Sequence, residues 1–411
     1  MMEPIKATIP WLSIIGLGED GLTGLSPAAQ ALLATAETIV GGPRHFALLQ
    51  DFLDRPDVEQ LIWKNPFIKT VEDIRVRRGR RVAVVASGDP MHYGAGVTLA
   101  RYFPGEALVL PTIGSVTLAC ARLGWPVSDV EVVTVHGRPL ERILLHVTPG
   151  ARLLVLSEDA ETPKKLAHLL TEHRYGPSTL TVFERLGGPK ERCIEDSAEC
   201  WNAPPGDDLN LVAVTCTAMP KTHVLSRVSG LPDDAFIHDG QLTKREVRAA
   251  TIAALKPMPE QILWDIGAGC GSIAIEWMRA PGRPKAIAIE QDKDRAALIA
   301  KNAMHMGVPD LKIIVDPVPK ALRDLPAPHA IFIGGGITTT DLIRNCWDAL
   351  QPSGRLVANV VTAEGETILL SACEAWGGTM ARLAISRLEP LGGFRSWRPL
   401  LPVTQWMVRK P

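Results

Sequence analysis

Short runs of β-branched and apolar residues alternate with stretches of helical spacing along most of the chain. That alternation predicts an α/β protein with parallel or mostly parallel sheets. In the first half, apolar runs predict strands over 12–15, 81–86, 107–110, 130–135, 152–156, 179–184 and 209–217. Ser26-Pro27 reads as a helix cap followed by proline at the first helical position. Residues 115–123 carry apolar side chains at helical spacing and stop at Gly124. The pattern weakens over 219–240, which holds two prolines and two glycines without a sustained period. It restarts with a helix over 244–255, closed by Lys256-Pro257. Five parallel strands are then predicted at 262–266, 286–290, 311–315, 330–333 and 355–361. The runs 380–388 and 404–409 read as a closing antiparallel pair.

The punctuation divides the chain into 1–218, a linker at 219–240, and 241–411. A length of 411 residues suits two or three domains. Hydrophobic residues make up 46% and charged residues 22%, which excludes a disordered or fibrous chain. The net charge of −1 lacks the basic excess of a general nucleic-acid binder. The charge-free run 107–121 spans 15 residues and contains Pro111 and Gly114. It falls short of the roughly 18–20 apolar residues that cross a membrane. The first residues lack a signal-peptide apolar region, so a cytoplasmic protein without a membrane partner is expected. Seven dispersed cysteines, none at C-x-x-C spacing, and unclustered histidines predict neither a disulfide scaffold nor a metal site.

The clearest chemistry lies in ILWDIGAGCGSIAIEW. An apolar strand ends at Asp265, and Gly267, Gly269 and Gly271 follow before a helix. Glycines permit a tight strand-to-helix turn and close approach of a ligand to the backbone. Glu290 ends the next strand, 19 residues after Gly271, where a carboxylate can accept both ribose hydroxyls of a nucleoside. Three readings stay open: S-adenosylmethionine, a dinucleotide, and a purely structural turn. The dinucleotide fingerprint wants Gly or Ala where Ser272 stands, and Asp265 precedes the loop, so the pattern favours S-adenosylmethionine. Asp316, after the third strand, is positioned to edge an adenine ring. Gly334-Gly335-Gly336 leaves room at the fourth strand end.

In the first half, residues 16–21 match G-x-G-x-x-G, yet the next helix begins at Ser26-Pro27 and no acid ends a second strand about twenty residues later. That context fails a dinucleotide site. VAVVASGDPMHYGAGVTLA is more informative. Its strand ends in Ser87, Gly88, Asp89 and Pro90, and another strand ends in PTIGS. Two such loops of small residues can line one cleft, and a pre-proline Asp89 is held extended.

IIGLGEDGLTGLS, GGPRH, SGDPMHYG and PTIGSVTLACARLGWP, in that order, resemble the tetrapyrrole (class III) methylase family over about 10–218. LTKREVR followed by DIGAGCGSIAIEW resembles the small decarboxylating precorrin methyltransferases over about 235–411. Their fusion resembles the bifunctional decarboxylating precorrin methyltransferases of cobalamin (corrin) biosynthesis. The resemblance implies a tetrapyrrole methylase fold of two α/β subdomains followed by a Rossmann-like class I methyltransferase domain. It implies S-adenosylmethionine at two sites per chain, no metal, and a precorrin as poly-carboxylate substrate. Precorrin-6Y would be methylated at carbon 5 by the first domain and at carbon 15 by the second. The second would also remove the ring C acetate carboxyl, giving precorrin-8X. Gly18, Gly88, Asp89 and Ser115 would hold the first cofactor; Thr243, Gly267, Gly269, Gly271, Glu290 and Pro317 the second. A homo-oligomer is expected. One departure is Glu19-Asp20, where many class III members carry a proline.

Methyl transfer from a sulfonium to an electron-rich carbon needs alignment and exclusion of water more than a strong base, so no catalytic base is nominated. Carboxylates call for arginines. Arg44, Arg185, Arg395 and Arg398 are candidates, with His92 and Tyr93 beside Asp89. The basic run Arg75 to Arg81 reads as a solvated corner. The rival functions are a nicotinamide-dependent oxidoreductase built on the second half and a non-catalytic S-adenosylmethionine-binding regulator.

Overall fold

A computed structural model describes residues 10–53 and 55–411; the N-terminal stretch searched for a signal peptide lies mostly outside them. The chain divides into two compact units, 1–138 with 149–219, and 139–148 with 220–411.

The first unit holds two sheets. One comprises β1 (Leu12–Leu17), β2 (Thr38–Gly41), β3 (Glu59–Ile62), β4 (Val82–Ser87) and β5 (Ala107–Leu110). They lie in the order β3-β2-β4-β1-β5, all parallel. All six residues of β1 are buried, as befits a central strand covered on both faces. Apolar clusters lie on the two sides, one around Ile15, Leu33 and Val85, the other around Ile14, Val71 and Phe103. The second sheet comprises β6 (Glu131–Thr134), β7 (Arg152–Leu156), β8 (Thr179–Glu184), β9 (Arg192–Ser197) and β10 (Asn210–Thr215). Its order is β6-β7-β10-β8-β9; only the β6–β7 pair is parallel. The antiparallel character was not legible from the strand pattern, because partner direction depends on which strands meet.

The second unit is built on β11 (Ile262–Ile266), β12 (Lys285–Ile289), β13 (Lys312–Ile314), β14 (Ala330–Ile333), β15 (Arg355–Val360), β16 (Thr379–Leu383) and β19 (Val403–Arg409). The order β13-β12-β11-β14-β15-β19-β16 is parallel through β15 and antiparallel over the last two. The order reverses direction between β11 and β14, and ligands sit outside such a switch point. The run read as one strand over 380–388 is split: β16 pairs with β19, whereas β17 (Ser386–Leu391) forms a separate hairpin with β18 (Phe394–Pro399).

The segment read as a linker, 219–240, packs onto the second unit, where Leu231 and Phe236 belong to its core. The backbone N–H groups of Gly230 and Leu231 donate to the buried Glu276 carboxylate (2.7 and 3.0 Å). Two core residues scattered among prolines and glycines leave no periodic trace. Among the described residues, no helix is long and apolar enough to cross a membrane.

Candidate functional site

In the second unit, β11 carries Asp265 and Ile266 into the glycine loop, and the helix Ser272–Arg279 follows. Gly267, Gly269 and Gly271 all have positive φ (+68°, +59° and +83°), a region open to glycine at little cost. The reasons for the three differ. A Cβ on Gly267 would meet the Gly335 backbone at 2.7 Å, so the loops after β11 and β14 touch main chain to main chain. A Cβ on Gly271 would strike Ile299 at 2.8 Å. A Cβ on Gly269 would meet nothing nearer than the Gln241 carbonyl at 4.0 Å, so it faces open space. That room beside Gly269 lets a ligand approach the loop backbone.

Glu290 is buried at the end of β12. Its carboxylate accepts the Gly269 N–H (2.8 Å) and the Asp292 N–H (3.1 Å). Each carboxylate oxygen keeps acceptor capacity, so Glu290 both shapes the glycine loop and can receive a vicinal diol. Asp265 is fully buried and accepts the Ala274 N–H (2.9 Å) through one oxygen, while its other oxygen has no partner. Burial first, then the nearby Glu290 charge, pushes its carboxyl up to about 7. Asp316 is half-buried and paired with Lys320 at 2.8 Å. Pro317 is exposed beside it, and its carbonyl accepts the Ala321 N–H. Thr243 is half-buried just past Gln241, with its carbonyl held by Arg248.

Arg248 lies within LTKREVR, and no role is predicted for it. It is fully buried, donates to Glu276 (2.6 Å), to Asp233 (3.2 Å) and to the Leu231 carbonyl, and lies 4.7 Å over the Phe236 ring. Arg387, on β17, binds Asp233 (2.9 Å) and Glu246 (2.6 Å). This network fixes the segment carrying Thr243. Its members come from 231–248, 276 and 387, so only the fold gathers them.

In the first unit, three strand-end loops meet. A Cβ on Gly16 would lie 2.0 Å from the Gly88 carbonyl and 2.7 Å from the Thr112 nitrogen. Gly88 (φ +55°) lies against Gly114, where a Cβ would meet the Gly114 Cα at 3.1 Å. Gly88, Asp89 and Ser115 are thereby brought together, with Gly18 two residues beyond Gly16. Ser115 opens the helix Ser115–Leu123. The Asp89 carboxylate accepts the Met91 N–H (2.8 Å). Gly21 starts a short 3-10 turn, and the helix Pro27–Thr35 begins after Ser26, whose hydroxyl accepts the Ala29 N–H (3.2 Å).

Glu19, at the departure from the class III pattern, accepts from both Arg44 and Arg185, and Arg185 also binds Asp207. Arg398 is paired with Glu389 (3.1 Å), and Arg395 is exposed on the β17–β18 hairpin. The Tyr93 hydroxyl donates to the Val132 carbonyl at 3.5 Å, with the Arg138 guanidinium 5.7 Å over its ring. The basic run is spread over carboxylates: Arg77 and Arg80 bind Glu59, Arg78 binds Glu106, and Arg81 binds Glu37. Among the described residues, no group of three or more His, Cys, Asp or Glu could hold a metal ion.

A parallel sheet in the first unit and a sheet parallel through β15 in the second, each with glycine-shaped loops at its carboxyl edge and the second with an acid closing the next strand, fit a two-part α/β methyltransferase. Residues 12–199 match the family described as tetrapyrrole (corrin/porphyrin) methylases, and residues 234–410 match the precorrin methyltransferase domain family. A precorrin-6Y C(5,15)-methyltransferase [decarboxylating] from Sinorhizobium sp is 44% identical over 98% of this chain and 97% of its own. A cobalt-precorrin-7 C(5)-methyltransferase from Salmonella typhimurium is 29% identical over 44% of this chain and 88% of its own. A probable cobalt-precorrin-6B C(15)-methyltransferase (decarboxylating) from Pyrobaculum aerophilum is 32% identical over 42% of this chain and 92% of its own. This chain belongs to the family of decarboxylating precorrin-6Y C(5,15)-methyltransferases. The oxidoreductase reading is thereby corrected: relatives covering 97–98% of this chain are named as methyltransferases, in keeping with Ser272 at the place of the dinucleotide glycine.

Proposed function

We propose that the two units each bind one S-adenosylmethionine and share the work of one enzyme between them. The first methylates carbon 5; the second methylates carbon 15 and removes the ring C acetate carboxyl. The overall activity is that of the family: S-adenosylmethionine-dependent methylation of precorrin-6Y at carbons 5 and 15 with decarboxylation, in cobalamin biosynthesis. The observation that carries the division is the presence of two unrelated strand-end sites, one in each unit. The two relatives that act on a single carbon each align with less than half of this chain, which supports the same reading.

S-adenosylmethionine supplies an electrophilic methyl on its sulfonium. The chain's own residues bind and orient. In the second unit, Gly269 leaves the backbone open, Glu290 offers carboxylate lone pairs to the ribose diol, and Thr243, Gly267, Gly271, Asp316 and Pro317 complete the wall. In the first, Gly18, Gly88, Asp89 and Ser115 frame the cleft. Both sites act by alignment and exclusion of water, which intramolecular positioning rewards with large effective concentrations. The tetrapyrrole is the electron sink for decarboxylation.

Mass spectrometry of products tests the division. Asp89→Ala is expected to leave a decarboxylated product lacking one methyl group. Glu290→Ala is expected to depress the second methylation and carbon dioxide release together. Normal carbon dioxide release from Glu290→Ala, with release lost in Asp89→Ala, would reverse the assignment.

A further inference from the structure

Ser87 and His45 in the first unit are used by none of the roles above, and Arg44, a candidate for the substrate carboxylates, joins them. Ser87 ends β4, is exposed, and directly precedes Gly88 and Asp89. His45 is buried behind it, at 4% exposure. The His45 Nδ1 lies 3.0 Å from the Gly42 backbone nitrogen, and an amide N–H can only donate. Nδ1 is therefore the acceptor, and the ring carries its proton on Nε2. A protonated imidazolium would set two donors against each other at Gly42. Burial and the neighbouring Arg44 charge agree, holding His45 well below its ordinary value, at about 4. Nε2–H then donates to the Ser87 Oγ at 3.0 Å.

Arg44 donates to the same oxygen through Nη2, while its Nη1 is paired with Glu19. A hydroxyl has two acceptor lone pairs and one proton. Both lone pairs of Ser87 are taken by groups that can only donate. Its own O–H is thus committed outward as a donor, at the rim of the loop formed by Gly88 and Asp89. The Arg44 guanidinium, shared between Glu19 and this oxygen, puts charge-assisted donors beside that proton.

We propose that Ser87 is a binding residue that donates its hydroxyl proton to a carboxylate oxygen in the first site, with His45 and Arg44 as positioning residues. The inference rests on the reading that the first unit binds S-adenosylmethionine beside Asp89. The carboxylate belongs either to the amino-acid end of the cofactor or to the tetrapyrrole.

Calorimetry on the full chain in a Gly269→Val background, where the first site alone reports, separates these. Ser87→Ala is expected to lose about tenfold or more in affinity for S-adenosylhomocysteine, or to raise KM for the tetrapyrrole by a similar factor. Ser87→Thr, which keeps the hydroxyl, should restore it. His45→Leu should show part of the Ser87→Ala loss, and His45→Gln, which keeps a donor, should recover it. Loss for S-adenosylhomocysteine but not for 5′-methylthioadenosine, which lacks the amino-acid end, identifies the cofactor carboxylate. A raised KM with unchanged S-adenosylhomocysteine affinity identifies the substrate. Unchanged affinity and KM overturn the role of Ser87. Equal loss for both nucleosides, or a fall in melting temperature that accounts for the loss, overturns it too. Absence of any binding in Gly269→Val alone overturns the two-site reading along with it.

Discussion

The two strand-end sites are built by different means. In the second unit, one contiguous loop of backbone makes the cradle: three glycines at positive φ, one of them facing open space, and a carboxylate 19 residues on that grips the loop. In the first unit, three loops interlock at Gly16, Gly88 and Gly114, and side-chain bonds join Glu19 to Arg44 and Arg185 and Ser87 to Arg44 and His45 beside them. A site made of main chain depends on local glycines. A site made of side-chain ties depends on the whole sheet holding those loops in place.

The sharpest way to break the comparison is at the anchor of the second unit. Glu276→Ala takes from the fully buried Arg248 its shorter ion-pair partner, leaving only the longer contact to Asp233, and frees two N–H groups of the 230–231 segment. Removing one partner of a buried pair costs about 3–5 kcal/mol. Denaturant unfolding should show the second unit weakened and the first unchanged.

Asp265 gives the next effect, and it depends on pH. In the unfolded chain its carboxyl ionises near its ordinary value of 3.8, and in the folded chain near 7. Between these values the folded state holds the extra proton. Stability of the second unit should therefore fall as pH rises through that window and level off above it, by about 4 kcal/mol in all. Asp265→Asn should abolish the slope in melting temperature between pH 5 and pH 8. A slope that survives would show that another group is responsible.

Glu290→Ala removes a charged acceptor from the Gly269 N–H and, on the proposed reading, from the ribose diol. At about 1.5–3 kcal/mol per hydrogen bond to a charged group, second-site affinity for S-adenosylhomocysteine should drop at least tenfold. Calorimetry should show the first site intact; equal loss at both would erase the contrast between them. The smallest effect belongs to the basic corner. Arg78→Ala cuts an exposed pair with Glu106 and should change stability by less than about 1 kcal/mol. A larger change, or a raised KM, would make that corner part of a site.

Most strands and the second glycine loop were legible because each is a local signal, whereas β2, β3 and β9 were not predicted: β2 has only four residues, and β3 and β9 are edge strands with few apolar positions. Period-two or continuous apolar runs mark the strands, and D-x-G-x-G-x-G places its own turn. The helix start at Ser26-Pro27 and the stop at Gly124 were legible for the same reason, since capping is decided within a few residues. The β17–β18 hairpin was missed because an apolar count does not reveal where a strand changes partner.

What the sequence determined by itself is the alternation of elements, the glycine positions and the acids at strand ends, because backbone conformation and burial periodicity are local. Tertiary structure decided the antiparallel second sheet, the packing of 219–240 onto the second core, and the Arg248–Glu276 anchor. It also set the direction of the Ser87 proton, through His45 and Arg44 from 42 and 43 residues away. Those features depend on which groups meet across long separations, and a hydrogen bond's direction is fixed only when both its partners are in place.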